Sequence, residues 1–202
     1  MSSFTLYSSP GSGHSHRVRL LLSLLGTDYQ LINVSADARK QDEFLAKNPL
    51  GQIPVLEHGD KVFSDSNAIL VYLCSVLKQG SDWLPSEPDI LAEVQLWLGK
   101  AAGEIRYGPG SARLIKMFGA DEDYDFACKV ASRLFSFMEN HLQNRMWLAS
   151  ASPTIADVAC YAYLAAAHEG GLSLMKYPAI TAWLRRVESL PGFIPFTEPE
   201  KA

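Results

Sequence analysis

Apolar and polar residues alternate over Phe4-Thr5-Leu6-Tyr7-Ser8, which predicts a strand. A loop rich in Ser, Gly and Pro follows, from Ser9 to Gly13. Val18, Leu21, Leu22 and Leu25 then recur at the spacing of one helix face, and Gly26 ends that helix. Tyr29 to Val34 reads as a second strand and Gln41 to Lys47 as a short helix. Ile53-Pro54-Val55-Leu56 is a short apolar run that reads as a buried strand. A turn at His58-Gly59-Asp60 leads into its hairpin partner, Lys61-Val62-Phe63. Asp65 to Leu77 is a third helix, with Ile69, Leu70, Leu73 and Leu77 on one face. The order is β-α-β-α-β-β-α.

The pattern changes after Gly80, Pro85 and Pro88, which mark residues 79–88 as a linker. Beyond it every periodic stretch is helical. Val94, Leu98, Ala101 and Ile105 make one stripe, and Val130, Leu134, Phe137 and Met138 another. Thr154 to His168 and Tyr177 to Leu190 are two more helices. Gly108-Pro109-Gly110 is expected to break the helix that carries Glu104 to Tyr107. The expected domains are an α/β unit over residues 1–78 and an all-α unit over residues 89–202.

With 202 residues, 48% of them hydrophobic, the chain has ample core for this arrangement. A net charge of −4 leaves no basic footprint for nucleic acid. No apolar run approaches the roughly 20 residues of a membrane span. Met1-Ser2-Ser3-Phe4-Thr5 lacks the basic-then-apolar pattern of a secretory signal. Cys74, Cys128 and Cys160 are odd in number and far apart, which fits core thiols in a reducing cytoplasm. His14 and His16 flank Ser15, too few ligands for a metal site.

Around Pro54 the chain carries candidate binding chemistry. Asn48-Pro49-Leu50-Gly51 is a turn signal. A proline opening a strand cannot donate to the ladder, and it forces Ile53 into an extended conformation. That leaves a strand end where an extended peptide can dock. Asp65 and Ser66 open a helix, and an exposed helix N-terminus binds a carboxylate. The plain alternative is that Ser64 or Asp65 is only an N-cap.

Three stretches carry a resemblance that covers nearly the whole chain. They are Leu6 to Ser12 with Arg17-Val18, Phe44 to Leu56 running into Asp65 to Ile69, and Ser152 to Asp157. Together they resemble the cytosolic glutathione transferases, and in particular the classes with an active-site serine, phi-like or theta-like. The resemblance implies a thioredoxin-like N-terminal domain, a helical C-terminal domain and a cis Pro54. It also implies glutathione as co-substrate, a small hydrophobic electrophile, a role in detoxification and a cytoplasmic homodimer.

Residue by residue, it implies that the Ile53 backbone beside Pro54 holds the cysteinyl unit of glutathione and that Gln52 hydrogen-bonds the peptide. Asp65 meets the ammonium and Ser66 the glutamyl carboxylate. Arg39 or Lys40, better Lys40, pairs with the glycyl carboxylate. Ser12 stands five residues before Arg17, as the phi-like serine does before its arginine, and is the candidate donor to the thiolate. Ser9 is its rival. No metal is implied. The electrophile pocket is expected between the domains, with Glu104 to Tyr107 lining it.

Thr154-Ile155-Ala156-Asp157 reads as a capping box with a structural role. Ser15 to Arg19 also resembles stringent starvation protein A, a non-catalytic RNA polymerase-binding relative, which is the alternative from another class. Glutathione-dependent isomerisation or peroxide reduction are the alternatives within the enzyme class. The cysteine of the maleylacetoacetate isomerases is missing from the Ser12 to Arg19 run.

Overall fold

The alternating stretch at the start forms β1 (Phe4–Ser8), one of two interior strands of a four-stranded mixed sheet in a computed structural model that describes residues 3–196. Met1 and Ser2 at the chain start, and residues 197–202 of the expected helical domain, lie outside the described residues. The sheet runs β2-β1-β3-β4, with β2 (Tyr29–Asn33) parallel to β1. β3 (Val55–His58) is antiparallel to both β1 and β4 (Lys61–Ser64). The expected β-α-β-α-β-β-α order is present, with α1 (Gly13–Leu24), a short α2 (Asp42–Leu45) and α3 (Ser66–Val76). This is the thioredoxin-like arrangement.

Each face of the sheet has its own layer. Tyr7, Ile32 and Val55 pack with Val34, Ile53 and Phe44 of α2 on one side. Phe4, Leu6 and Leu56 are buried on the other. There α3 is anchored by Tyr72, whose hydroxyl lies 2.8 Å from His58 Nδ1 and whose ring stacks on Phe63. Helix α1 packs beside α3.

The described chain divides into two units: residues 3–80 with residues 191–196, and Ser81–Leu190. The expected helical domain ran on to residue 202, whereas residues 191–196 group with the sheet. They are tied to α1 by Ser23 Oγ donating to Gly192 O at 2.6 Å and by His16 Nε2 at 3.0 Å from Ile194 O.

His16 is 3% exposed, and burial lowers its pKa to about 4 from 6.5. The neutral ring's contribution to stability is therefore complete above the ordinary pKa and is lost as pH falls towards the folded one. Linkage puts the loss at about 3 kcal/mol by about pH 4. Denaturant unfolding of wild type and His16→Gln at a series of pH values measures it. The variant is expected to lack that part of the slope; parallel slopes would contradict the assignment.

The second unit holds α4 (Pro88–Ala102), α5 (Ser111–Phe118), α6 (Tyr124–Leu142), α7 (Ile155–Ala165) and α8 (Pro178–Glu188). The stripe Val94, Leu98, Ala101 and Ile105 is buried. In the second stripe Leu134 and Met138 are buried, but Phe137 is exposed.

Gly108-Pro109-Gly110 is not a stop. It lies in a wide π-type turn, Arg106–Gly110, that leads straight into α5. The Ser111 N–H donates to Arg106 O, five residues back, so the ladder steps past the missing proline donor. Gly108 also admits α6 closely, since a Cβ there would lie 2.9 Å from Ala131 N. Glu139 on α6 caps α8, accepting from Ala179 N at 3.0 Å and Ile180 N at 3.1 Å. The expected capping box is present at α7: Thr154 Oγ1 accepts from Ala156 N, and Asp157 Oδ2 accepts from Thr154 N at 2.9 Å.

Candidate active site

The register of the sheet gathers four chain segments at one end. Ser8 closes β1 opposite Asn33, Tyr7 pairs with Val55 at the start of β3, and Val55 pairs with Ser64 at the end of β4. The loop to α1, the segment after β2, the Ile53-Pro54 approach and the entry to α3 therefore all leave the sheet at this end. Ser12, Lys40, Gln52, Ile53, Pro54, Asp65 and Ser66 stand on those segments.

Ser12 is the N-cap of α1 and is half-buried. Its Oγ accepts from Ser15 N at 3.2 Å, so the hydroxyl proton is not what caps the helix. The preceding turn closes with Ser12 N donating to Ser9 O at 3.2 Å, and Gly11 takes φ 73° in it. Ser9 is also half-buried, in the loop rather than on the cap.

Ile53-Pro54 is a cis peptide bond. Strand β3 begins at Val55, not at Ile53 as expected, so the Ile53 N–H and C=O stand outside the ladder. The turn before them is stapled by Asn48, which is 5% exposed. Its Nδ2 donates to Gln52 O at 2.8 Å and its Oδ1 accepts from Leu50 N at 3.2 Å. Gly51, at φ +61°, fits where a Cβ would meet Arg39 O at 3.0 Å. The Gln52 side chain is exposed.

Asp65 caps α3 from an unusual backbone conformation, φ 80° and ψ 120°, the only positive φ at a non-glycine among the described residues. Such a conformation costs on the order of 1–3 kcal/mol and clusters at ligand sites. Its Oδ1 accepts from Ala68 N at 2.9 Å, and the residue is exposed. Ser66 is the first residue of α3 and is 2% exposed. Lys40 ends a single 3₁₀ turn, Ala38–Lys40, with Nζ 3.1 Å from Asp37 Oδ1. That pair is largely in solvent and holds Lys40 weakly.

The two helix starts are tied by Arg17 and His14, to which the sequence patterns gave no role in the site. Arg17, 1% exposed, donates from Nη1 to Ser66 Oγ at 3.1 Å and lies 2.9 Å from His14 Nδ1. His14 Nδ1 is in turn 3.2 Å from Ser66 Oγ. The one visible signal was Arg17 itself, a cation on the apolar side of an amphipathic helix, which must find acceptors when buried. Elsewhere on the sheet, Tyr7 donates to Glu57 Oε2 at 3.0 Å and Lys47 Nζ reaches Glu57 Oε1 at 2.5 Å. The hydrogen bond from Lys47 holds the Glu57 carboxyl below the usual range.

The cysteines are free, and burial pushes the Cys74 thiol up to about 12. Among the described residues no group of three or more His, Cys, Asp or Glu is placed to hold a metal ion. None of the helices there is long and apolar enough to cross a membrane.

A thioredoxin-like sheet with a cis-proline edge beside two helix N-termini, joined to an all-helical unit, defines the glutathione-transferase class of fold. The family models for the glutathione S-transferase N-terminal and C-terminal domains match residues 2–75 and 105–191. The chain is 30% identical to glutathione S-transferase 3 of Zea mays, over 96% of this chain and 92% of the maize protein. A crystal structure of a glutathione S-transferase from Pseudomonas fluorescens superposes with a TM-score of 0.91 at 34% identity, covering 98% of this chain and all of that one. A glutathione transferase homologue from Drosophila mojavensis, solved with bound glutathione, matches at TM-score 0.83 and 27% identity, over 95% of this chain and 90% of that one.

The chain belongs to the glutathione S-transferase family. Membership makes it a glutathione transferase, with glutathione as co-substrate.

Proposed function

We propose that this chain binds glutathione across the cis-proline end of its sheet and delivers the thiolate to a small hydrophobic electrophile, with Ser12 donating a hydrogen bond to the sulfur. The observation that carries the proposal is the meeting of the α1 and α3 N-termini there, joined by Arg17 at 3.1 Å from Ser66 Oγ. Both helix starts favour negative charge. The half-buried Ser12 hydroxyl adds a donor at the α1 end. A free thiol with pKa about 8.5 is mostly protonated at neutral pH, and a hydroxyl donor beside a helix N-terminus favours its thiolate.

In this reading the Ile53 N–H and C=O pair with the cysteinyl unit, with Pro54 keeping that edge out of the ladder and Gln52 reaching the peptide. The exposed Asp65 carboxylate meets the ammonium, Ser66 and the α3 N-terminus the glutamyl carboxylate, and Lys40 the glycyl carboxylate. The sulfur then forms a bond to the electrophilic carbon as a halide leaves, or as an epoxide oxygen opens and takes a proton. The free thiols Cys74, Cys128 and Cys160 suit a reducing cytoplasm.

Calorimetry with glutathione, paired with turnover of a chloro-aromatic electrophile, tests the proposal. Micromolar to millimolar binding with turnover is expected. No detectable binding, together with co-purification of RNA polymerase, would hand the case to an interaction protein.

The same reading carries a homodimer. Val62, Val71 and Val76 are exposed on the first unit, and Leu91, Leu96, Phe126 and Phe137 on the second. Apolar surface of this kind suits a protein partner. Sedimentation is expected to give twice the 22.3 kDa chain mass; a monomer at micromolar concentration would refute it.

A further inference from the structure

The contact between α1 and α3 has an unusual chemistry for a helix pair. Arg17 is 1% exposed and Ser66 is 2% exposed, so both polar ends of the contact lie out of water. A guanidinium only donates. Its Nη1 therefore gives hydrogen bonds to Ser66 Oγ at 3.1 Å and to His14 Nδ1 at 2.9 Å. It follows that His14 Nδ1 accepts and carries no proton, and that Ser66 Oγ accepts from Arg17 and has its own proton to share between His14 Nδ1, 3.2 Å away, and a ligand. His14 stands one turn before Arg17 on α1, so the guanidinium is forked between its own helix and the first residue of α3. Hydrogen bonds from a buried cation are the stronger kind, and the hydroxyl they polarise is a better donor. A few ångströms along the chain, Asp65 holds its positive-φ conformation. The entry to α3 is thus over-determined from two sides: Asp65 from within the helix and Arg17 from α1.

We infer that Arg17 is a positioning residue for the glutamyl carboxylate of glutathione: it fixes the Ser66 hydroxyl and the first turn of α3 where that carboxylate binds. The inference rests on the glutathione reading above. Arg17 touches no ligand in this role and acts through Ser66. Its loss should therefore be felt by a ligand that has the carboxylate and ignored by one that lacks it.

The test compares glutathione with 4-aminobutanoyl-cysteinyl-glycine, which keeps the ammonium, thiol and glycyl end but lacks the glutamyl carboxylate. Affinities are measured by calorimetry for wild type, Arg17→Met, Ser66→Ala and the double variant, with melting temperatures alongside. Each single variant is expected to weaken glutathione about tenfold, the scale of one hydrogen bond to a charged group. The double variant should be weaker than either single one by no more than about twofold, because both remove one shared contact. The carboxylate-free analogue should bind all four proteins within about twofold.

Arg17→Met weakening both ligands equally, leaving glutathione unaffected, or multiplying with Ser66→Ala would each overturn the inference. Should Arg17→Met not fold, Arg17→Lys carries the comparison, since an ammonium lacks the planar fork and is expected to show the same ligand selectivity with a smaller loss. A wild-type protein that binds no glutathione would sink the functional reading itself. A wild type that binds, with an indifferent Arg17 variant, would sink this inference alone.

Discussion

Ser12→Ala is expected to raise the pKa of the bound glutathione thiol by about 1–2 units and to lower turnover at neutral pH about 10–100-fold. The size follows from one hydrogen bond to a charged acceptor, about 1.5–3 kcal/mol, at 1.36 kcal/mol per pKa unit. Glutathione affinity should change far less, because the proposed reading puts the peptide's binding groups on the Ile53-Pro54 edge and the α3 entry instead. The fold should hold, although the α1 cap bond to Ser15 N, 3.2 Å, is lost. Cap removal costs about 1 kcal/mol. Ser12→Thr keeps a hydroxyl and a cap and should retain part of the activity. An unchanged thiol pKa in Ser12→Ala, with an elevated one in Ser9→Ala, would move the donor role to Ser9.

Asp157→Ala is expected to be the most destabilising single change in the helical unit, with little bearing on chemistry. Its carboxylate is fully buried and accepts from Leu148 N at 3.0 Å, Thr154 N at 2.9 Å and Trp183 Nε1 at 2.8 Å. Three elements meet on that one group: the start of α7, the segment before it and α8. Burial pushes the carboxyl's pKa up, and the bonds from Thr154, Trp183 and Leu148 oppose that rise. Truncation leaves those three buried donors without their acceptor, and with them the Thr154 hydroxyl, which reaches Asp157 Oδ2 at 3.4 Å; an unpaired buried donor costs about 1–3 kcal/mol before relaxation. A net loss of about 3–5 kcal/mol places it among the severe substitutions. Denaturant unfolding measures it. A variant with wild-type stability but no turnover would show that Asp157 belongs to the chemistry after all.

What was legible in the sequence was local. The alternation of β1, the stripe and glycine stop of α1, the hairpin turn at Gly59 and the capping box at Thr154 each depend on neighbours a few residues apart, and each stands where the pattern put it. The start of β3 was misread because the apolar run Ile53 to Leu56 looks continuous. Pro54 gives no ladder donor, and β3 pairs only from Val55.

Gly108-Pro109-Gly110 reads locally as a helix stop. Only the close approach of Ala131, far along the chain, shows why a wide turn with small residues is kept there. The contact from Arg17 to Ser66 spans 49 residues, and the bond from His16 to Ile194 spans 178. No periodicity reports either. Of the candidate site, the binding segments were visible as motifs. The groups that hold them together were not, because a buried cation shows its partners only in three dimensions.

The central claim is that glutathione bound at the α1 N-terminus carries an ionised thiol near neutral pH. The most direct measurement is a titration of the thiolate absorbance of glutathione in complex with the wild-type protein, from about pH 5 to about pH 10, against the protein alone. Among the protein's own thiols, Cys74 will not interfere, since burial pushes it up to about 12. The account predicts a saturable complex whose apparent thiol pKa lies at least about one unit below the free value of roughly 8.5. A bound thiol that titrates with the free peptide, or no saturable complex at all, would contradict it.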